Sequence, residues 1–481
     1  MTAWVELALG SREKTFDQLA SAVAALPSFA EVEAVRARAV LQELESDARG
    51  WCLWIETQGG AGTLHAVEIL APVLPGFTRC RKFARPAPGD VSVTLDELAD
   101  SSHALSALKG IALDAGPARE SRRVEWRIGD VLATLAAQDD ERPTLCLSAP
   151  GDDETVLDAV FRLAREAVDA APFSLLAVDD EAPEAPEVHA SKIDLPLEST
   201  AREAFVTIAG SIAMHWFGND ARARQALEVE RVHQLRVAQR RLKTLLKLFP
   251  DDVDTVWNET IAPDLKWFGD LLGDARDWDV FTDTTLPAYG EADAGGPSWQ
   301  AVIDAADARR HAARTRLAHA LHAKRYARLS LAFVEWLARI GMRPDEAPVA
   351  LADFAKKRIR KNYRKIVEVP DLTTLDVRTR HRVRIHAKRL RYALEFLRSL
   401  TTRQTRGEIA KRLSRLQTVL GEGNDAAVAA ERLSALPEAS DYQRGFARAW
   451  AAVSEHKDAE EGERILRSIE KPRLKKTGAH E

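Results

Sequence analysis

Two stretches decide the fold of this chain: His233-Gln-Leu-Arg236-Val-Ala-Gln-Arg240-Arg241-Leu-Lys243 and His381-Arg-Val-Arg384-Ile-His-Ala-Lys388-Arg389-Leu-Arg391. They lie at an offset of 148 residues, and the histidine, arginine, basic pair, leucine and last basic residue align at each step. A second pair of segments keeps the same offset: Leu272-Gly273-Asp274-Ala-Arg-Asp277 and Leu420-Gly421-Glu422-Gly-Asn-Asp425. Two separated motifs that share one spacing indicate an internal duplication.

Each copy of the basic motif predicts a cationic stripe on a helix. At about 100° per residue, one face of each helix collects basic side chains and the opposite face is apolar. The stripes are His233, Arg236, Arg240, Lys243 and Lys247 in the first copy, and His381, Arg384, Lys388 and Arg391 in the second. Like charges at these spacings repel by about 0.2–0.5 kcal/mol per pair, so keeping them twice suggests a ligand. The first stripe is about 21 Å long, which favours an extended polyanion over a single phosphate.

Other readings of the motif remain open on the sequence alone. A charge run on a helix is usually a solvated face, and Arg236 or Arg384 could pair internally with carboxylates of the second motif, namely Asp274, Asp277, Glu422 or Asp425. His233 and His381 have no His, Cys or carboxylate three or four residues onward, as a metal site would want. No nucleophile or paired acid recurs beside them either. We therefore expect each histidine to pack at a helix start and to donate a hydrogen bond, with a phosphate among the candidate acceptors.

Charge is distributed unevenly along the 481 residues. Residues 1–190 hold 17 Lys+Arg and 32 Asp+Glu, whereas residues 191–481 hold 51 and 41, so an acidic half precedes a basic half that should meet an anion. The three scattered cysteines argue against a disulfide framework and suit a reducing cytoplasm. We expect neither a signal peptide nor a membrane span.

Composition and periodicity divide the chain into two domains. An acidic, Pro-rich linker is predicted over 179–194. Before it, residues 1–178 mix strand and helix signals, which indicates an antiparallel sheet with helices. The predicted strands include Trp51–Glu56, Val91–Leu95, Arg123–Ile128, Val131–Leu135 and Pro143–Leu147, and the predicted helices include Thr15–Leu26, Ala30–Glu45, Leu95–Ile111 and Glu154–Ala170.

After the linker, apolar residues recur at spacings of three and four, which predicts an all-α domain over 195–465 built of helical hairpins in two similar halves. Its predicted helices are Thr200–Phe217, Val229–Phe249, Trp257–Leu272, Trp299–His322, Leu329–Ile340, Ala350–Val367, Arg378–Leu400, Thr405–Leu420 and Tyr442–Ser454. A basic, frayed tail is expected over 466–481.

The duplicated His-x-x-Arg-x-x-x-basic-basic-Leu-basic motif, followed each time by Leu-Gly-x-x-x-Asp, closely resembles the CHAD family (conserved histidine α-helical domain). Arg389-Leu-Arg391-Tyr-Ala-Leu-Glu395-Phe is a specific match to the second half of the family pattern. The resemblance implies two pseudo-symmetric four-helix bundles and binding of inorganic polyphosphate, often with recruitment to polyphosphate granules. The family's motif cations would be Arg236, Arg240, Arg241, Lys243, Arg384, Lys388, Arg389 and Arg391. Glu395 stands where the first half has Lys247, so the halves should differ in how they hold phosphate.

Residues 1–178 resemble, more weakly, the CYTH family, an antiparallel β-tunnel that handles triphosphates with a divalent metal. That family opens with Glu-x-Glu-x-Lys on its first strand, whereas this chain has Trp4-Val-Glu6-Leu-Ala8, so two of the three functional residues are missing. The resemblance therefore implies a degenerate CYTH-like domain without catalysis.

The leading expectation is a noncatalytic, cytoplasmic polyphosphate-binding protein that associates with polyphosphate granules and uses no cofactor or metal. The predicted phosphate-binding residues are His233, Arg236, Arg240, Arg241, Lys243, Lys247, His381, Arg384, Lys388, Arg389 and Arg391, together with Lys357, Arg360 and Arg364 of a further basic helix. One alternative is a metal-dependent triphosphatase or polyphosphatase that uses the N-terminal domain. The other is a nucleic-acid-binding protein, for which few tyrosines are available to stack on bases.

Overall fold

The computed structural model describes residues 2–11, 13–87, 91–101, 103–138, 142–176 and 186–475, with the backbone alone at 71, 72, 103, 104 and 422–424. The chain forms two compact units. The first contains Met1–Ala185 and His322–Arg343, and the second contains Pro186–Leu321 and Pro344–Glu481.

The first unit is a closed antiparallel barrel. Its strands are β1 (Trp4–Gly10), β2 (Val35–Glu45), β3 (Trp51–Gln58), β4 (Ala61–Leu74), β5 (Phe77–Pro86), β6 (Asp114–Ile128), β7 (Val131–Gln138), β8 (Thr144–Pro150) and β9 (Ser174–Leu175). They run in the order β5-β4-β3-β2-β6-β7-β8-β1-β9, and β1 also pairs with β5. Because β1 bonds to both β8 and β5, the first eight strands close on themselves and leave no open sheet edge between them.

The predicted antiparallel tunnel is thus confirmed, and so is its clearest hairpin. β6 and β7 pair from Ile128 opposite Val131 back to Ser121 opposite Gln138. The turn between them uses Gly129 at a φ of 58°, a left-handed conformation that glycine adopts without strain. β7 alternates buried and half-buried residues along its whole length, as expected for a strand with two different faces.

Two predictions for this unit are wrong. Residues 30–45 were expected to be helical because alanine, arginine, leucine and glutamate favour helices, but β2 forms there and pairs with both β3 and the long strand β6. Val91–Leu95 alternates like a strand, yet it begins a helix, α2 (Val91–Asp100). The helical arrangement brings Leu95, Leu98 and Ala99 together on one face, where they join a buried apolar cluster.

The other helices of this unit are α1 (Phe16–Ala24), α3 (Glu154–Ala170) and α9 (Lys324–Met342), numbered in chain order. The sequence placed α9 within the 195–465 domain, but it packs on α3 instead. Its apolar face, which includes Phe333, Trp336 and Leu337, is buried. Ion pairs connect the two helices at their polar edges: Arg165–Glu335 at 2.5 Å and Arg328–Asp169 at 2.6 Å.

The second unit is all-α. Its helices are α4 (Ala201–Ala223), α5 (Val229–Leu248), α6 (Ala262–Val280), α7 (Leu286–Ala292), α8 (Gln300–Leu321), α10 (Leu351–Val367), α11 (Val377–Phe396), α12 (Ala410–Ser434) and α13 (Asp441–Arg467). Helices α4, α5, α6 and α8 form one bundle, and α10, α11, α12 and α13 form the other. The predicted pair of four-helix bundles is confirmed.

The offset of 148 residues holds in three dimensions. Shifting α5 by this offset gives the bounds of α11, and shifting the start of α6 gives the start of α12. Even a short π-helical segment repeats, at Trp257–Ile261 and again at Thr405–Ile409. Helix α4 and its counterpart α10 begin side by side, since Thr200 and Ala350 form an isolated antiparallel bridge.

Both flanks of the helical unit are more ordered than the sequence predicted. Part of the predicted linker (179–185) lies outside the described residues, but Val188 exchanges two hydrogen bonds with Asn219 of α4, and Ile193 is buried. In the predicted frayed tail, Leu474 bridges to Thr401, and the Lys475 amide donates to the carbonyl of Leu400 at 2.8 Å. Residues 476–481 lie outside the described part. Within the described chain, we find no helix with the length and apolarity needed to cross a membrane.

A buried arginine links the two bundles. Arg241 of α5 is 1% exposed, and its Nη2 lies 3.0 Å from Oε1 of Glu395 on α11. The guanidinium also stands over the ring of Phe396, 5.5 Å from its centroid. One residue earlier, Nε of Arg240 donates to the Tyr392 hydroxyl at 2.9 Å. Both motif helices therefore meet through consecutive arginines of the first copy.

We expect Glu395→Gln to destabilise the full chain by roughly 3 kcal/mol, because it leaves the Arg241 charge buried without its carboxylate. Urea unfolding followed by far-ultraviolet circular dichroism measures the change. The double variant Arg241→Met/Glu395→Leu removes both charges and should recover most of the loss. If Glu395→Gln unfolds at the wild-type midpoint, the pair does not hold the bundles together.

Candidate anion-binding groove

The two motif helices line one groove of about 620 Å³ in the helical unit, with α6 and α12 completing its walls. The described residues that line it include nine Lys or Arg side chains, one histidine and two aspartates. The cationic side chains are Arg236, Arg240, Lys243, Lys247, Arg276, Arg384, Lys388, Arg389 and Arg432, the histidine is His233, and the aspartates are Asp277 and Asp425. The groove therefore carries a large excess of positive charge.

The second duplicated motif shapes this groove through its glycines. A Cβ atom on Gly273 would lie 2.9 Å from Nη1 of Arg236, and one on Gly421 would lie 3.2 Å from Nη2 of Arg384. Glycine at these positions leaves room for the guanidinium of each motif arginine beside the neighbouring helix. The glycine of the Leu-Gly-x-x-x-Asp motif thus accommodates the motif arginine of the same half.

The internal pairing considered for the motif arginines is present, but it does not remove them from the groove. Nη2 of Arg236 lies 3.7 Å from Oδ1 of Asp277, yet the Arg236 side chain stays 41% exposed. Arg384 is more buried, and burial lowers its pKa while the charge of Asp425 opposes that shift. Asp274 pairs instead with Arg316 and Arg432. The side chain of Glu422 lies outside the described residues.

Burial and neighbouring cations lower the pKa of two basic groups in the groove. Burial, reinforced by the neighbouring charges of Arg240, Arg384 and Arg236, lowers the pKa of Lys388 to about 8. Burial also lowers the pKa of His233, and the charge of Arg276 adds to the effect. A group whose positive charge is disfavoured in the free protein gains from an anion that restores it. An anion in the groove would therefore favour the charged forms of Lys388 and His233.

The two halves contribute unequally to the groove. The positions that form an ion pair in one case hold two cations in the other. The offset of 148 residues relates Arg241 to Arg389 and Glu395 to Lys247. Arg241 is paired with Glu395, which also accepts from Arg391 at 3.4 Å, whereas Arg389 and Lys247 both line the groove. Because position 395 is Glu and the matching position 247 is Lys, Arg241 has a carboxylate partner in the core, whereas its counterpart Arg389 lines the groove.

Several predicted site residues lie elsewhere. Arg241 is a buried brace, which corrects its predicted role in phosphate binding, because its guanidinium is turned away from the groove to Glu395. His381 is exposed and lines a different cavity with Arg380 and Asp458, so only the first histidine faces the groove. Arg391 lines an adjoining cavity, where it donates to Gln417 at 3.2 Å.

The remaining predicted residues lie on α10, outside the groove. Lys357, Arg360 and Arg364 line a separate basic surface on that helix. Sequence reasoning missed two groove cations, Arg276 and Arg432. Arg276 lies inside the second duplicated motif, but the other copy has Asn424 at the matching position, so the repeat did not mark it as a shared cation. Arg432 carried no repeat signal; it stands over the Trp278 ring and pairs with Asp274 at 3.2 Å.

Two ion pairs connect strands of the barrel in the first unit. Nζ of Lys82 on β5 lies 2.5 Å from Oε1 of Glu6 on β1, and it also donates to the Ser148 hydroxyl at 2.7 Å. Arg123 pairs with Glu56 at 2.9 Å. In the described part of the chain, no three His, Cys, Asp or Glu side chains are grouped so that they could hold a metal ion.

Comparison with known proteins agrees with the geometry of the helical unit. The family model of the CHAD domain matches residues 207–434. The crystal structure of a CHAD domain from the plant Ricinus communis is 28% identical, with a TM-score of 0.52, and the similarity covers 61% of this chain and 100% of that one. PptA from Streptomyces chartreusis is 18% identical, with a TM-score of 0.42, over 56% of this chain and 99% of that chain.

An uncharacterized protein of Mycobacterium tuberculosis is 29% identical over 221 residues, which are 44% of this chain and 41% of that protein. The match thus spans less than half of the curated relative. The family model covers both copies of the duplicated motif helices. Residues 207–434 of this chain therefore belong to the CHAD family.

Proposed function

We propose that the helical unit binds inorganic polyphosphate without catalysis, and that this binding brings the protein to polyphosphate granules in the cytoplasm. The proposal rests on the positive charge of the groove. Its described lining residues include nine Lys or Arg side chains and only two aspartates. Guanidinium and ammonium groups form strong, charge-assisted hydrogen bonds with phosphate oxygens. The resemblance to CHAD domains supports polyphosphate as the polyanion.

The shape of the groove favours a chain of phosphates over a single one. Its cations come from α5 and α11 on facing sides, and on α5 they extend from Arg236 to Lys247, about 16 Å along the helix. One phosphate would leave most of these charges without a partner. A linear polyanion can satisfy both walls along this length.

A nucleic acid is the second candidate, and the lining favours it less. Proteins that hold single strands combine basic grooves with aromatic side chains on which bases stack. Among the described lining residues, the aromatic side chains are those of Phe281 and His233. For the barrel, two of the three residues of the Glu-x-Glu-x-Lys pattern are missing from β1, so we propose no triphosphatase role.

A binding assay tests the proposal. Wild-type protein should bind long-chain polyphosphate with an affinity that falls steeply with salt, because bound phosphates release counterions. Replacing two groove cations, Lys388→Ala/Arg389→Ala, should weaken binding roughly 100-fold, about 3 kcal/mol for two charge-assisted contacts. The variant Arg448→Ala/Lys457→Ala removes the same charge from exposed positions on α13 and should bind like the wild type.

Two results would contradict the proposal. The groove variant could bind as well as the α13 control, which would place the ligand elsewhere. Alternatively, duplex or single-stranded DNA could compete equally with polyphosphate at equal phosphate concentration, which would make the groove a general nucleic-acid site.

The lowered pKa of Lys388 gives binding a pH dependence. Below pH 8 this lysine is charged before and after binding, so affinity should be flat there. Above pH 8 the free protein must take up a proton to present the charge, and affinity should fall by at most about 10-fold per pH unit. Dissociation constants at constant ionic strength from pH 7 to 9.5 measure this. In Lys388→Arg the charge persists, so its curve should be flatter; identical curves would exclude Lys388 as the titrating group.

A further inference from the structure

Helix α10 presents a second group of cations outside the groove. One side of the helix is used for packing: Phe354, Ile359 and Ile366 are buried, and Arg358 pairs with Asp251 at 3.0 Å. The other side carries six exposed cations: Lys356, Lys357, Arg360, Lys361, Arg364 and Lys365. Arg364 lies 3.5 Å from Glu368, while for the other five no carboxylate of the described residues lies within 4.0 Å. This face is therefore not an ordinary surface of mixed charges.

The docked C-terminal segment turns this face into a cleft. Lys471, Pro472, Leu474 and Lys475 stand opposite Lys356, Arg360 and Tyr363 and enclose about 530 Å³ with them. Hydrogen bonds hold the segment in place. The Thr402 amide donates to the Arg473 carbonyl at 3.1 Å, and the Arg473 amide donates to the Thr405 hydroxyl at 2.9 Å. Asp353 is the only carboxylate among the described lining residues. We name this region the tail cleft.

The tail cleft is continuous in charge with the groove. Arg389 lines the groove and acts electrostatically on Lys365 at the C-terminal end of α10, as does Lys361 one turn earlier. After burial, these two charges are the main causes that lower the pKa of Lys365. From Lys365 to Lys356 the cationic face covers about 14 Å along the helix. A row of cations thus leads from the groove wall to the tail cleft.

We propose that the tail cleft is a second subsite, which holds a later stretch of the polyphosphate chain whose first stretch occupies the groove. This inference rests on the proposed function and adds to it a basis for preferring long chains. A chain that spans both subsites binds the second one intramolecularly, at a high effective concentration, whereas a short chain occupies only one. Chain-length preference should then depend on α10 and the C-terminal segment.

The test compares two chain lengths on variants of the full-length protein. Lys356→Gln/Arg360→Gln removes charge from the helix wall, and Lys471→Gln/Lys475→Gln removes it from the tail wall. For chains of about 100 phosphates, each variant should raise Kd about 10-fold or more, whereas for chains of about 10 phosphates Kd should stay within about 2-fold of the wild type. The length preference of the wild type should shrink accordingly.

The control is Arg448→Gln/Lys457→Gln, which changes the net charge equally and lines neither site. It should keep the wild-type affinity for both lengths. Equal losses for short and long chains, or no loss for either, would overturn the second subsite while leaving groove binding intact. If the wild type binds neither length, the proposed function itself fails.

Discussion

The helical unit depends on the ion pair between Arg241 and Glu395. An arginine that is 1% exposed needs a carboxylate beside it, since an unpaired buried charge costs several kcal/mol. The pair joins α5 of one bundle to α11 of the other, and the neighbouring Arg240–Tyr392 hydrogen bond does the same. It thereby sets the two motif helices side by side, and the groove lies between them.

The duplication supplies the positions for this pair twice, but the chain uses them only once as a brace. Their counterparts, Arg389 and Lys247, are both cations that line the groove. The pseudo-symmetry is therefore broken at the point where stability and ligand binding would compete. One set of positions joins the two bundles, and the other adds positive charge to the groove.

The sequence predicted the duplication well because the spacing between the motif copies can be read from the sequence and does not depend on how the side chains pack. The offset of 148 residues anticipated the counterpart helices, and it also relates the two π-helical segments, which the sequence did not predict. It could not separate Arg241 from Arg389, which occupy the same motif position, because their environments depend on residues 395 and 247 across the bundle interface. The glycines of the second motif can be seen in the sequence, but only the structure shows which arginines lie beside them.

Other failures have the same origin in tertiary contacts. Residues 30–45 have helical composition and became β2 because long strands lie on either side. Helix α9 was recognised as a helix, but only packing on α3 assigns it to the barrel unit. The C-terminal segment reads as a basic tail, and its bonds to residues 400–405 have no local signal.

In the variant Lys247→Glu, Arg389 would gain the carboxylate partner that Arg241 already has. Urea unfolding and polyphosphate affinity should be measured on the same preparation. We expect the free energy of unfolding to rise by about 1 kcal/mol and polyphosphate affinity to fall about 10-fold, since a second ion pair replaces two cations that line the groove. A variant that is less stable than the wild type, or that keeps full affinity, would contradict this expectation.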